Sequence, residues 1–489
     1  MSIINNRLGV ENKITDPANE YNGKIGIELR GSTSQSFPKK PYGFETWDDK
    51  GEDKDVTLLN MPKESDWTLN ASYNDKSLMR DGLAYMFAGQ IMDYAPRVRY
   101  VELMLNGQYQ GVYMLIEKIK RDKNRVDIAK MDTTDDQGDD VTGGYIIKID
   151  KKTGSNSGVG WTSLYKPLPN SWQTTYFQVE YPKSDDISDP QRTYIRDFFY
   201  KVENSIAAQD YKDPGTGYRK WVDTKSLIDF IIINELTKNP DAYRLSTFLH
   251  KQRDSDGGKL KFGPVWDFNL GFGNVDYCTQ GSADGLVINT FNTVCPGDGW
   301  VIHFWWKKFL EDEALYNELK LRWKSLRADQ FSDSRINFMV DSISTLLGQA
   351  QARNFQRWLV LGIYVWPNYF VGSSYASEVT WLRSWLKNRL TYLDKVWQLT
   401  NSNTEEGEEL IFSVFPNPSS KSVVLNSNKE LPSDLTFSIY DHSGKSYYAP
   451  HQKIDHQSFS IDISQLPSGL LILNTQINEK QYSIKILKE

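Results

Sequence analysis

The pattern that most constrains this chain lies between Leu227 and Asn274: an apolar helix followed by two extended runs around a glycine turn. Leu227 to Leu236 is apolar enough for a buried helix. Thr237-Lys238-Asn239-Pro240-Asp241 ends it, because the residue before a proline is driven toward extended geometry. Extended runs follow at Leu245 to Gln252 and Leu260 to Val265. Asp254-Ser255-Asp256-Gly257-Gly258 joins them with residues that tolerate positive φ, so the two runs close as a hairpin. Folding that hairpin about position 255 or 256 sets 241 opposite roughly 270 and 267 opposite roughly 244. Asp241 and Asp267 therefore leave the same open end.

Two carboxylates at one hairpin mouth suit two jobs. One accepts a proton from a hydroxyl nucleophile, and the other holds a hard divalent cation through oxygen. Phosphoryl transfer needs both parts. The alternative is that both are loop residues, Asp241 forming a turn after Pro240 and Asp267 acting as a cap. Asn239, Asn269 and the glycines Gly271 and Gly273 at the exit add to the functional reading.

Asn239-Pro240-Asp241 with Gly263-Pro264-Val265-Trp266-Asp267-Phe268-Asn269-Leu270-Gly271-Phe272-Gly273-Asn274 resembles the core signature of the spore coat protein H (CotH) family of atypical, secreted protein kinases. The resemblance implies an atypical kinase-like fold of two lobes, with ATP and Mg2+ or Mn2+ as cofactors. It implies that Asp241 is the catalytic aspartate and that Asp267 and Asn269 stand at the metal-facing positions. Asn269 occupies the place where many members carry a second Asp. Ser246 stands five residues after Asp241, where ordinary protein kinases carry a metal-binding Asn.

Upstream, Lys24 to Gly31 and Tyr42 to Trp47 alternate like strands. The loop between them holds Ser32-Thr33-Ser34-Gln35-Ser36 and then Phe37-Pro38-Lys39-Lys40-Pro41. Backbone N–H groups, hydroxyls such as Ser34 and the cations Arg30, Lys39 and Lys40 suit a triphosphate, although no Walker loop is present. A solvated surface hairpin is the alternative. Arg30-Gly31-Ser32 through Pro38-Lys39-Lys40-Pro41-Tyr42 resembles the family's N-terminal motif, which implies phosphate contact. Asp75 to Met92 has a helical pattern, with Asp75 or Asn74 as N-cap. Asp66-Trp67 and Asp75-Lys76-Ser77-Leu78-Met79-Arg80 also resemble the family. Arg80 is a candidate phosphate ligand or a partner in a helix-surface ion pair. Val98 to Leu105 and Gln110 to Ile116 form a hairpin about Asn106-Gly107. Glu117 follows, where a kinase-like strand gives way to the nucleotide, and is a candidate contact or a strand-end charge. Gly143 to Asp150 is another strand that resembles the family, and Asp189 to Ala208 is helical. Residues 301 to 350 and 375 to 399 are helical and rich in tryptophan, with Trp305, Trp306, Trp323, Trp381, Trp385 and Trp397 expected in the core.

Hydrophobic content of 39% and aromatic content of 13% make the chain globular. A net charge of −6 without a long basic run excludes a general nucleic-acid binder. No apolar run reaches about 18 residues, so no membrane-spanning segment is expected. Cys278 and Cys295 share one loop, and spacing leaves a disulfide and two free thiols open.

Residues 401 to 410 form a charged, apolar-poor linker. From Phe412 the composition changes to short alternating runs with no tryptophan, a small β-sandwich pattern. Val414-Phe415-Pro416-Asn417-Pro418, Asp441 to Lys445, Leu466-Pro467-Ser468-Gly469 and the late lysines Lys485 and Lys488 resemble a type IX secretion sorting domain. That resemblance implies the type IX machinery as a partner, passage through the periplasm and display at or release from the outer surface. It also permits the disulfide. An export signal is expected and the opening residues lack one, so the chain is expected to be truncated or its start set too late.

The expected architecture is thus α+β: a kinase-like domain over 1–400, a linker over 401–410 and a β-sandwich over 411–489. The expected activity is phosphate transfer from ATP to a Ser or Thr hydroxyl of a surface protein. The alternative is a surface binding protein that keeps the fold without catalysis and serves carbohydrate-using or cell-surface machinery.

Overall fold

The computed structural model describes residues 1–7, 9–152, 158–397, 412–441, 445–477 and 480–489. The protein is α+β, with helices and several antiparallel sheets. It divides into two compact units, Met1–Thr400 and Asn401–Glu489. The expected linker at 401–410 lies outside the described residues.

The first sheet of the first unit is built from β1 (Lys24–Leu29), β2 (Tyr42–Trp47), β3 (Asp66–Asn70), β4 (Val98–Leu105) and β5 (Gln108–Glu117). Their spatial order is β1-β2-β3-β5-β4. The β4–β5 turn uses Asn106 and Gly107 at φ 51° and 76°, the left-handed pair that an Asn-Gly hairpin requires. The second sheet contains β6 (Tyr145–Ile149), β7 (Gly160–Thr162), β8 (Tyr176–Tyr181), β9 (Thr247–Lys251) and β10 (Leu260–Phe262), in the order β7-β8-β6-β9-β10. The hairpin inferred from sequence is β9–β10. Its register, Leu249 opposite Phe262 and Lys251 opposite Leu260, is the one obtained by folding at 255 or 256. Gly257 and Gly258 take φ 95° and 57° at the turn. On its other side β9 pairs with β6, so the hairpin is locked into a larger sheet.

Helix α1 (Arg80–Ala88) is shorter than the expected 75–92 span. The Asp75 carboxylate accepts the N–H groups of Ser77 (3.1 Å) and Arg80 (2.8 Å), and Leu78 is left-handed at φ 59°, so a turn precedes the helix. Helix α2 (Asp189–Ala207) opens on a capping box of Ser188 and Gln191. Helix α3 (Thr224–Thr237) is capped by Asp223 and buried along nearly all its length. It ends on Lys238 at φ 44°, just ahead of Asn239-Pro240. The loop that holds both cysteines contains a short helix, α4 (Val287–Val294), and Cys278 is disulfide-bonded to Cys295. Helices α5 (Phe304–Leu310), α6 (Glu313–Ala328), α7 (Asp333–Arg357) and α8 (Tyr375–Val396) complete the unit. Trp305, Trp306, Trp323, Trp385 and Trp397 are buried in one core with α1, the second sheet and α3.

The second unit has two four-stranded antiparallel sheets. Val423, Leu425 and Ile461 from one sheet share a core with Ile439, Leu471, Leu473 and Ile486 from the other. Of the expected 441–445 motif, residues 442–444 lie outside the described residues.

Near the end of α3, Glu235 is fully buried and gathers four partners. Its carboxylate accepts the N–H groups of Val287 and Ile288 (both 2.9 Å) at the start of α4, the Tyr243 hydroxyl (3.0 Å) and Arg389 Nη2 of α8 (3.1 Å). Arg389 also donates to the carbonyls of Glu235, Ala283 and Gly285. Burial pushes the Glu235 carboxyl up and pulls the Arg389 guanidinium down to about 10, so at neutral pH the arginine keeps its charge. Removing one member of a buried pair strands the other. Arg389→Met should therefore destabilise the first unit by about 3–5 kcal/mol, measured by denaturant unfolding; a loss within experimental error would show that the pair does not organise this region.

Candidate functional site

The site is assembled where α3 ends and the β9–β10 hairpin opens. Pro240 prevents Asn239 from continuing the helix, and Asp241 emerges from the bend. The Asn239 side chain ties the two acids together: its Nδ2 donates to the Asp267 carbonyl (3.1 Å), and its Oδ1 accepts the Asp241 N–H (3.2 Å). One Asp241 carboxylate oxygen accepts from Arg244 Nη2 at 2.7 Å.

Asp267 sits at φ 65°, a left-handed conformation that is uncommon for a residue with a side chain. Helix α1 holds it there. The Tyr85 hydroxyl accepts the Asp267 N–H at 3.1 Å, and Asp81 Oδ1 accepts the Phe268 N–H at 2.6 Å. Asp81 and Tyr85 are four residues apart, one above the other on the helix face. Among the described residues, nothing donates a hydrogen bond to the Asp267 carboxylate itself.

That carboxylate lies in the field of two others, Asp241 and Asp150, and of two cations, Arg30 and Lys151. Burial and then the two acids push Asp267 up to about 7, against the pull of Arg30 and Lys151. Asp81, completely buried and next to Asp267, is pushed up to about 8, chiefly by burial. Asp150, at the end of β6, is raised by burial as well. Arg30 follows β1 directly; its guanidinium lies 5.3 Å from the centre of the Trp266 ring. Burial lowers the Arg30 pKa, and Asp267 is the largest influence opposing it. Lys151 Nζ is 3.5 Å from the Thr33 hydroxyl and 5.4 Å from the centre of the Trp300 ring.

The structure thus brings Asp241, Asp267 and Arg30 together with Asn239, already singled out in the sequence, and adds Asp150, Lys151, Arg244, Asp81 and Tyr85, to which sequence reasoning gave no role. The signal for Asp150 was the strand 143–150 that ends on it. Ser34 lies half-buried on a short 3-10 turn, Thr33–Ser36, and Lys40 Nζ closes that loop onto the Gln35 carbonyl at 2.7 Å. Asn269 points its amide at Asn74 Oδ1 (3.4 Å), and its carbonyl accepts from Asn274 (2.8 Å).

Three expected phosphate or nucleotide contacts are corrected. Lys39 is buried, with its amine on the Val112 carbonyl and Asn354 Oδ1 (2.9 Å), so it joins β5 to α7. Arg80 is buried in an ion pair with Asp75. Glu117 is fully buried and bonded to Arg97 (2.9 Å) and the Tyr94 hydroxyl (3.2 Å). Each charge is spent on a partner inside the fold.

A groove of about 2600 Å3 is lined by residues of both sheets such as Ile27, Phe44, His250 and Lys261, and by Tyr94. Asp150, Asp241 and Asp267 do not line it, so size and chemistry point to different places. Convergent charged groups with shifted pKa values are the better guide to a reactive centre. Among the described residues, no three acids, histidines or cysteines enclose a metal position unaided. Mg2+ in nucleotide sites is commonly held by one or two carboxylates plus phosphate oxygens, a coordination that the Asp267 carboxylate fits.

Residues 413–489 match the model described as secretion system C-terminal sorting domain. Inner spore coat protein H of Bacillus subtilis (strain 168) is 23% identical over 270 residues, which is 55% of this chain and 65% of that protein. The chain therefore spans just under two thirds of the curated relative's length. The model described as CotH kinase protein matches residues 27–393 and so contains every group of the site, from Arg30 to Asp267. The chain belongs to the CotH kinase protein family.

Proposed function

We propose that this protein transfers phosphate from ATP to a Ser or Thr hydroxyl of a protein at the cell surface. The observation that carries the reading is the grouping of Asp241, Asp267 and Asp150 in one electrostatic field with Arg30 and Lys151. Membership of the CotH kinase protein family supports it. A Mg2+ or Mn2+ ion, when bound with nucleotide, would supply charge neutralisation on the phosphates. Asp267 would hold it, with Asp150 nearby. Arg30 and Lys151 would meet phosphate oxygens, taking the place first expected of Lys39 and Arg80. Asp241, steadied by Arg244, would orient the acceptor hydroxyl and accept its proton. A surface binding protein without turnover is the second reading. The burial of Lys39 and Glu117, both expected at the nucleotide, favours it.

The sorting domain supports secretion or attachment at the cell surface, and among the described residues no helix is long and apolar enough to cross a membrane. Interaction with the type IX secretion machinery follows from that domain. Because the two units are separately compact, deleting residues 412–489 should leave the first unit folded and stop surface delivery in the host. Cell fractionation tests this; normal display of the shortened chain would remove the sorting role.

Asp267 must shed its proton before it can hold a cation, and its carboxyl is pushed up to about 7. Affinity for Mn2+ with ATP should therefore strengthen about 25-fold between pH 5.5 and pH 7.5 and level off above. Titration calorimetry across that range measures it, and Asp267→Ala should remove the metal-dependent part altogether. ATP binding that ignores chelator and pH would overturn the assignment.

Asp241→Asn keeps size and hydrogen bonding but not basicity. Nucleotide affinity should stay near the wild-type value, while phosphotransfer falls by at least about 10²-fold. Equal rates in the two proteins would sink the role of Asp241. Nucleotide binding with no turnover in either would establish the binding-protein reading.

A further inference from the structure

Arg244 is the most heavily used side chain around Asp241. It is 3% exposed, and its guanidinium lies 4.2 Å from the centre of the Phe291 ring. Its Nε donates to the Pro240 carbonyl (2.8 Å) and its Nη2 to Asp241 Oδ1 (2.7 Å). Its Nη1 donates to Asp298 Oδ1 (2.9 Å) and the Trp300 carbonyl (3.0 Å). One planar fork therefore connects the Asp241 bend to the far end of the loop that follows the hairpin.

The Cys278–Cys295 bond closes that loop. Asp298 lies three residues beyond Cys295, and its Oδ1 also accepts the Trp300 N–H at 2.8 Å, which folds the loop end into a tight turn. At the other end, Tyr277 precedes Cys278 and lies in the field of Asp241, Arg244 and Asp298. The cystine thus links both shoulders of the Asp241 pocket, and both of its cysteines are half-buried, not sealed in the core.

We infer that Arg244, anchored by Asp298 on the disulfide-closed loop, is the positioning residue for Asp241, and that oxidation of Cys278 and Cys295 is what completes the site. The inference rests on the proposed phosphotransfer only for its catalytic consequence. With the bond open, Asp298 would still be held at its carbonyl by Gln173 Nε2 (2.6 Å) but no longer braced from the Cys295 side, so the anchor of Arg244 and the direction of the Asp241 carboxylate would loosen. A chain with a secretion sorting domain passes from a reducing to an oxidising compartment, where exchange with a disulfide-bearing oxidant would take two electrons and two protons from the Cys278 and Cys295 thiols as their bond forms, so the site would be completed only after export.

The test uses the full chain as wild type, Asp298→Asn, Arg244→Lys and the double variant Cys278→Ser/Cys295→Ser, with wild type also treated with dithiothreitol. In that treatment the dithiol gives up two electrons and becomes a cyclic disulfide, while the Cys278–Cys295 bond breaks to two thiols. Hydrogen exchange over residues 239–246 should quicken by about tenfold or more in every altered form. Affinity for ATP with Mn2+ should stay within about threefold, since Asp267 is held by a different helix. Phosphotransfer to casein or to the protein itself should fall by about tenfold or more, the cost of a misdirected group. Dithiothreitol should have no further effect on the cysteine-free variant. The exchange measurement decides the inference even if wild type transfers no phosphate, an outcome that would defeat the proposed function alone. Unchanged exchange over 239–246 in Asp298→Asn and in reduced wild type would overturn it. If Arg244→Lys fails to fold, those two forms still decide.

Discussion

The buried Glu235–Arg389 pair is the interaction on which the rest of the site depends. Desolvating two charges is costly, and such pairs are tolerated when every remaining donor and acceptor is satisfied. Here the carboxylate is filled by two backbone N–H groups, a hydroxyl and the guanidinium, and the guanidinium places three further N–H groups on carbonyls. The carboxylate also lies at the start of α4, where unsatisfied N–H groups favour an anion. The result is a fixed knot between the end of α3, the start of α4 and α8. Asp241 follows six residues after Glu235, so its bend starts from an anchored point.

Around that anchor the fold accumulates negative charge and only partly cancels it. Asp267 and Asp81 both stay above the ordinary carboxylate range because burial and repulsion from nearby carboxylates, Asp241 and Asp150 for the first and Asp267 for the second, act in the same direction. Arg30 and Lys151 pull Asp267 the other way without bonding to it. A structural ion-pair network would be expected to end neutral and fully bonded. Glu235, whose carboxylate is saturated, is a group built for support; the open Asp267 carboxylate is what the proposed cation role requires.

How much of this was legible in the sequence depended on range. The register of the β9–β10 hairpin was read correctly to the residue, although both strands are shorter than the runs 245–252 and 260–265, because turn chemistry and alternation are local. The placement of Asp241 and Asp267 at one open end followed from that register. Lys39, Arg80 and Glu117 were misplaced because sequence reports charge but not burial. A lysine beside a polar loop looks solvated, yet Lys39 is enclosed by Val112, Asn354 and Tyr113, two of them on a neighbouring strand and one far along the chain. Asp150 was passed over for the same reason: β6 meets the hairpin only through sheet pairing, a contact about 100 residues long in sequence that no local pattern encodes. The cysteine spacing left two outcomes open, and the fold resolves them by bringing the two Cα atoms to 5.3 Å.

The enclosed amine of Lys39 has a consequence for how experiments on this protein are designed. In phosphoryl-transfer enzymes a lysine substitution is a natural choice of inactive control, on the assumption that it removes a phosphate ligand and leaves the scaffold intact. Lys39 bridges the first sheet to α7, so its replacement would take the lysine donor from the buried Val112 carbonyl and leave the Asn354 oxygen with only the Val112 N–H at 3.0 Å. Lost activity in such a variant would report on the joint between sheet and helix, and a comparison built on it would confuse a collapsed scaffold with a disarmed one.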